Sequence, residues 1–169
     1  MKIKYITFFV LFIAMAISSC KKDGFGPLTD NRPDVSVTVT NVYEYRAAPV
    51  VKASKAENKI MITLQIPGST GRTIKEITKI AASASNNWTA IYNATTVGTT
   101  TALLWSNTPI AVNSTSYTFT TTFDEYKAKT ATTTTPASNA LLARDFYFML
   151  KLDNDEIVIP TNVRVWVVD

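Results

Sequence analysis

The sequence predicts an all-β domain, an antiparallel β-sandwich, behind an N-terminal export segment. Three observations carry this reading. Short stretches of alternating apolar and polar residues recur along the chain, Gly, Pro, Asn and Asp punctuate them, and no long amphipathic helix pattern intervenes. With 169 residues, 46% hydrophobic and 18% charged, the chain can fill the core of one domain and does not have the composition of a disordered tail.

The export segment comes first. Met1-Lys2-Ile3-Lys4 is a short basic start, and the apolar run from Tyr5 to Ile17 follows it. That run falls short of the ~20 helical residues needed to cross a bilayer core. It ends in Ile17-Ser18-Ser19-Cys20, small residues directly before the only cysteine of the chain. This pattern reads as a bacterial lipobox: the Cys20 sulfur takes a diacylglycerol and cleavage then frees the Cys20 amino group. Residues 1–19 are accordingly expected to be a signal peptide, and residues 20–34 a lipidated cysteine with a tether rich in Gly, Pro and charge, Lys21-Lys22-Asp23-Gly24-Phe25-Gly26-Pro27 included. The β-sandwich is expected over residues 35–169. Acyl chains bury tens of CH₂ groups at ~0.8 kcal/mol each, so the membrane is an expected partner through the Cys20 anchor.

The strands are then justified in order. Val35, Val37 and Val39 alternate with Ser36, Thr38 and Thr40, and Ile60, Ile62, Leu64 and Ile66 alternate with Met61, Thr63 and Gln65. A period of two marks a strand with one buried face. Pro67-Gly68-Ser69-Thr70-Gly71 is a turn or loop. Ile74, Ile77 and Ile80 are three apart, a helical spacing, yet their β-branched setting favours a strand. Trp88, Ala90 and Tyr92 form a short alternation, and Ala102 to Trp105 has strand length. Ser116 to Phe123 puts Tyr117, Phe119, Thr121 and Phe123 on one face and threonines on the other. Lys127 to Ser138 reads as a low-complexity loop and Asn139 to Arg144 as one turn of helix. Phe146, Phe148, Leu150 and Leu152 alternate with Tyr147, Met149 and Lys151, after which Asp153-Asn154-Asp155 turns the chain and Ile157-Val158-Ile159 pairs back as a hairpin. Val163 to Val168 closes the chain as a strand covered on both sides, or as an edge awaiting a partner.

Composition also removes whole classes of chemistry. With no histidine, imidazole bases, Ser-His-Asp triads and His-ligated zinc or haem sites are excluded. With one cysteine, itself assigned to lipid, disulfides and thiol catalysis are excluded too. The formal charge of +4 includes Lys2 and Lys4 of the signal; without them the balance is +2, too small for a nucleic-acid binder.

Several residues invite a functional reading. Asp153, Asp155 and Glu156 cluster, but the ligand-and-glycine pattern of a calcium loop is missing, so a polar hairpin turn is expected and no metal or other cofactor. Asp124, Glu125 and Asp145 are the residue types of a glycosidase carboxylate pair, with nothing in the sequence to set their separation; surface charges are the plainer reading. Trp88, Tyr92, Trp105 and Trp166 are candidate ligand-binding aromatics if they line an exposed face, whereas sandwich aromatics commonly fill the core.

Ser18-Ser19-Cys20-Lys21-Lys22-Asp23 followed by one Thr-rich β domain resembles the small surface lipoproteins of Bacteroidetes-type bacteria. The resemblance covers the signal specifically and the β domain in style. It implies an immunoglobulin-like or fibronectin type III-like sandwich, lipid-anchored at the outer membrane and either surface-exposed or facing the periplasm. Such domains accompany nutrient-uptake complexes or adhesins, which implies a glycan or envelope-protein partner. In that setting Asn87-Trp88-Thr89, Asn93-Ala94-Thr95 and Asn113-Ser114-Thr115 are chance matches to a eukaryotic glycosylation pattern. The expected function is a non-enzymatic binding or accessory module. The alternatives are a pilus or surface-layer subunit that assembles by strand exchange and, behind it, a hydrolase.

Overall fold

A computed structural model describes residues 34–84, 92–93, 102–131 and 136–169. Cys20 and Trp88 lie outside the described residues, as do residues 1–33, on which the expected signal and nearly all of the expected tether fall. From residue 34 onward the described parts belong to one compact unit. The strands are β1 (Thr38–Val39), β2 (Glu44–Arg46), β3 (Ala48–Ser54), β4 (Ile60–Gln65), β5 (Ile74–Ser83), β6 (Ala102–Ser106), β7 (Ile110–Ser114), β8 (Ser116–Thr121), β9 (Ala140–Leu141), β10 (Asp145–Leu152), β11 (Ile157–Val158) and β12 (Arg164–Val168). An α-helix, α1 (Phe123–Thr130), stands among them.

Among the described residues strand pairing gives three sheets, and the architecture is all-β and sandwich-like. One sheet runs β1-β4-β8; the second runs β11-β10-β5-β6, with β7 also on β5; the third runs β2-β3-β12-β9. Every pairing is antiparallel except β3 with β12, which run parallel. Side chains from all three sheets meet in one core. The first two sheets face each other across it: the ring of Phe119 on β8 lies 5.4 Å from that of Phe146 and 5.6 Å from that of Phe148, both on β10.

The alternation predicted for β4 holds at every position, since Ile60, Ile62, Leu64 and Ile66 are fully buried. Near β1, Val35 and Val39 are buried while Ser36, Thr38 and Thr40 are exposed. The three-residue spacing of Ile74, Ile77 and Ile80 has a specific cause. Against β10, Phe148 pairs with Ile80, Leu150 with Ile77 and Leu152 with Ile74, so Thr78 and Lys75 are each an extra residue in β5. A bulge adds one residue without turning the next to the other face, and two bulges convert a spacing of two into three. All three isoleucines therefore point into the core. Thr78 Oγ1 donates to the Met149 carbonyl at 2.9 Å, which pins the first bulge.

Four expectations need correction. Lys127 to Thr130, placed in a loop, completes α1. The helix starts at Thr122, whose hydroxyl accepts from the Glu125 N–H at 3.0 Å. The sequence Thr122-Phe123-Asp124-Glu125 thus has the Thr-x-x-Glu spacing of a capping box. Asn139 to Arg144 is not a helical turn: Ala140–Leu141 is β9, paired to Val167 and Trp166. Asn139 supplies the turn before it with φ 56°, a left-handed conformation that asparagine tolerates. Tyr92 and Asn93 have helical backbone, so the alternation drawn from Trp88 does not continue through Tyr92. Last, β12 is not a free edge, because β3 flanks it on one side and β9 on the other.

The second face of β10 is also covered. Tyr147 is buried against Ala81 and Leu104 in a small cluster apart from the main core. The strand consequently carries apolar side chains on both faces.

Candidate functional site

The site is assembled by the β2–β3 hairpin and by β12. Chain segment 40–43 crosses from the β1-β4-β8 sheet to the β2-β3-β12-β9 sheet, and Asn41 fixes the crossing. Its Nδ2 donates to the Met61 carbonyl at 2.8 Å and its Oδ1 accepts from the Thr63 N–H at 2.9 Å. The Tyr43 N–H then donates to the Val50 carbonyl at 2.8 Å and begins the hairpin. Ala47 closes the hairpin with φ 59°, a conformation that costs about 1 kcal/mol for alanine.

Register sets what the outer face displays. In the parallel pair, Arg164 lies beside Val50, Trp166 beside Lys52 and Val168 beside Ser54; across the hairpin, Glu44 lies beside Val50 and Arg46 beside Ala48. Paired residues share a face. Val51, Val165 and Val167 are buried in the core, so Glu44, Arg46, Lys52, Arg164 and Trp166 stand together on the opposite face.

Two aromatic rings on this side each carry a cation. Arg46 Cζ lies 5.0 Å from the ring centroid of the half-buried Trp166. Lys52 Nζ lies 3.7 Å from the ring centroid of Tyr43, which is 53% exposed. Such contacts are worth ~0.5–1 kcal/mol at exposed sites and hold ring and cation in fixed relation. Arg46 is also held by Glu44, with Nε 2.8 Å from a Glu44 Oε1 that is buried and forms no aligned hydrogen bond among the described residues.

A cavity adjoins each ring–cation pair. The larger, about 400 Å³, is lined by Asn41, Tyr43, Lys52, Glu57, Lys59 and Met61 among others. The smaller, about 230 Å³, is lined by Arg46, Ala47, Ala48, Ala84, Asp145, Asn162 and Arg164. Lys52 and Trp166, neighbours in register, join the two ends.

At the floor of the smaller cavity, Asn162 Nδ2 donates to Asp145 Oδ2 at 2.7 Å, and Arg164 Nε stands 3.7 Å from Asp145 Oδ1. Burial pushes the Asp145 carboxyl above its ordinary value, while the Asn162 hydrogen bond and the Arg164 charge act in the opposite sense. Arg164 Nε is buried and has no hydrogen-bond partner among the described residues. The group ties the start of β10 to β12 beside the Phe146–Val163 bridge.

The other candidates fall elsewhere. Trp105 is a core residue, 4% exposed, with ring centroids 5.3 Å from Phe146, 6.2 Å from Tyr126 and 6.3 Å from Phe119; it cannot stack on a ligand without unfolding the centre of the domain. Tyr92 is exposed, and its carbonyl accepts from Lys79 Nζ at 2.8 Å. Of the three candidate aromatics among the described residues, Trp166 is the one on the assembled face; Trp88 lies outside them.

The three candidate carboxylates are each engaged with other groups. Asp124 and Glu125 occupy the first turn of α1, where carboxylates oppose the helix dipole. Asp124 is held below its ordinary value by hydrogen bonds from Lys127 and Asn58, with N···O distances of 2.9 and 2.8 Å. Asp145 is engaged with Asn162 and Arg164 instead. Asp155 sits in the β10–β11 turn with φ 65°, and Lys75 at 2.7 Å and Lys151 at 3.1 Å lower its pKa. Among the described residues no group of three Asp, Glu, Cys or His side chains gathers as a metal site.

Sequence reasoning missed Tyr43, Arg46 and Lys52. The signal was there in Tyr43-Glu44-Tyr45-Arg46, where aromatic and charged residues alternate, and in the single Lys52 after Pro49-Val50-Val51. A charge at a strand position reports an outer face.

In comparisons with family models, curated proteins and solved structures, nothing matches this chain.

Proposed function

We propose that this chain is a lipid-anchored cell-envelope lipoprotein whose β domain is an immunoglobulin-like, non-enzymatic binding module. The anchor rests on the apolar run that ends at Cys20. The immunoglobulin-like assignment rests on strand order: β1-β4-β8 opposes β11-β10-β5 with β6 and β7, and an early strand, β3, runs parallel to the last, β12.

The observation that carries the binding role is the pair of cation-capped rings, Tyr43 and Trp166: Tyr43 and its cation Lys52 line the larger cavity, and Arg46, the cation over Trp166, lines the smaller. Aromatic anchors framed by polar groups supply affinity without a tuned pKa. The chain also lacks histidine and a thiol other than Cys20, which removes the commonest nucleophile–base pairs. A glycan or an envelope protein is the partner class, at the outer membrane. Strand exchange is the weaker reading because β12 is flanked on both sides.

Two measurements test the proposal. Fatty-acid labelling should mark the wild-type protein and leave Cys20→Ala unlabelled; equal labelling would remove the anchor. A glycan array and a pull-down from envelope extract, run on the full chain in detergent, should give ligands that Trp166→Ala loses. Hydrolytic turnover that disappears on Asp145→Asn would overturn the non-enzymatic reading.

A further inference from the structure

We infer that the outer face between the two cavities binds an extended anionic glycan, one whose sugars carry carboxylate or sulfate groups. The inference rests on the binding-module reading above and adds the ligand class. The argument begins with the charges. The larger cavity holds Lys52 and Lys59 against one carboxylate, Glu57. Among the described residues neither lysine forms an ion pair with an acid: Lys52 lies over the Tyr43 ring, and Lys59 is exposed. At the other end, Arg46 and Arg164 line the smaller cavity. Both are paired to carboxylates, Glu44 and Asp145, so the surplus positive charge lies at the lysine end.

The arrangement of the rings selects a saccharide. A pyranose places C–H groups against an aromatic face and hydroxyls at its rim, and here each ring has polar neighbours within its own cavity or register row. Asn41, Ser54 and Glu57 surround Tyr43 in the larger cavity. Neither cavity is an apolar pocket of the kind that anchors a hydrophobic peptide side chain. The cation–π contacts hold Lys52 and Arg46 over one face of each ring, so a sugar seated on the other face or at the rim brings its charged substituents within reach of them.

The length of the face selects a chain over a single sugar. β3 carries Ala48, at the smaller cavity, through Lys52 and Ser54, at the larger. Seven strand residues at ~3.3 Å each span roughly 20 Å. Trp166 lies between the ends, beside Lys52 and beneath Arg46.

The test is calorimetric titration of the full chain in detergent with four probes of matched length: an oligogalacturonate, its neutral methyl ester, a sulfated oligosaccharide and polyglutamate. The oligogalacturonate or the sulfated oligosaccharide should bind, and the tighter of the two identifies the anionic group. The methyl ester should bind at least several-fold more weakly. Lys52→Ala with Lys59→Ala should weaken the acidic ligand roughly tenfold, the worth of two solvent-exposed charge contacts, and added salt should do the same. Lys52→Arg with Lys59→Arg should keep the affinity. Trp166→Ala should abolish binding, with an unchanged fold verified by circular dichroism. Equal affinity for the methyl ester would overturn the anionic preference and leave the binding-module reading standing. Polyglutamate bound as tightly as the acidic sugars would overturn the saccharide assignment. If all four probes fail while the pull-down captures a partner, the glycan inference is wrong and the module reading survives; if the pull-down is empty as well, both fall.

Discussion

Single residues in this domain are sorted by which side of a strand they occupy. Phe148 is buried in the main core, and Phe148→Ala should cost ~3–5 kcal/mol. Alternation alone would make the adjacent Tyr147 a solvent-facing residue and its loss cheap. Its burial against Ala81 and Leu104 changes that expectation: Tyr147→Ala should lower the urea midpoint by a similar amount, and a near-neutral result would mean that the second face is wet. Asp145 is sorted by burial in another way. Its folded pKa lies above the ordinary carboxylate value, so between the two values the native state holds a proton that the unfolded chain has released. Stability from this group therefore rises as pH falls through that window and is lost again as pH rises. Asp145→Asn should remove this slope. The variant's stability relative to wild type should be highest near neutral pH and should decline toward about pH 4, as denaturant titrations at several pH values can measure.

At the scale of elements, β4 and β5 show how the same kind of residue yields two different spacings. In β4 the isoleucines and Leu64 are two apart and pair regularly with β8. In β5 they are three apart because Thr78 and Lys75 are bulged against β10. Deleting Thr78 would leave Ile77 and Ile80 two apart and still on one face, so the fold should persist with the loss of one side-chain hydrogen bond. Deleting Thr63 from β4 would turn Ile62 and Leu64 to opposite faces and should abolish cooperative unfolding. Comparable destabilisation by the two deletions would refute the bulge explanation. Helix α1 was also legible, through the Thr122-x-x-Glu125 cap. It was hidden because the threonine-rich residues around it suggested loop, and because tertiary contacts hold it. Tyr126 is buried, and its hydroxyl accepts from the Arg144 N–H at 3.1 Å, which links the helix to the chain just before β10.

For the molecule as a whole, the two described tryptophans hold different places, and the proposed binding role falls to one of them. Trp105 lies among Phe119, Tyr126 and Phe146 in the core, whereas Trp166 lies on the outer face under Arg46. Trp105→Ala should cost ~3–5 kcal/mol of stability. Trp166→Ala should cost less than half of that and should instead remove ligand binding. Thermal unfolding and glycan titration of both variants separate the two effects, and a Trp166→Ala protein that unfolds as readily as Trp105→Ala would return Trp166 to a structural role.

Local pattern, by itself, determined the β class of the domain and the inward faces of β4, β8 and β10, and it is the whole basis of the proposed export signal ending at Cys20. These follow from periodicity and turn chemistry, which act over a few neighbouring residues. Composition ruled out imidazole chemistry for the same chain. The tertiary structure alone decided which aromatic faces outward and what stands beside it. Trp105 and Trp166 have similar strand contexts in the sequence, and their fates diverge because β6 turns its tryptophan toward Phe146 while β12, paired in parallel with β3, sets its own beside Lys52. Residues 52 and 166 are far apart in the chain, and only strand register, a non-local property fixed by the packing of buried faces, brings them together.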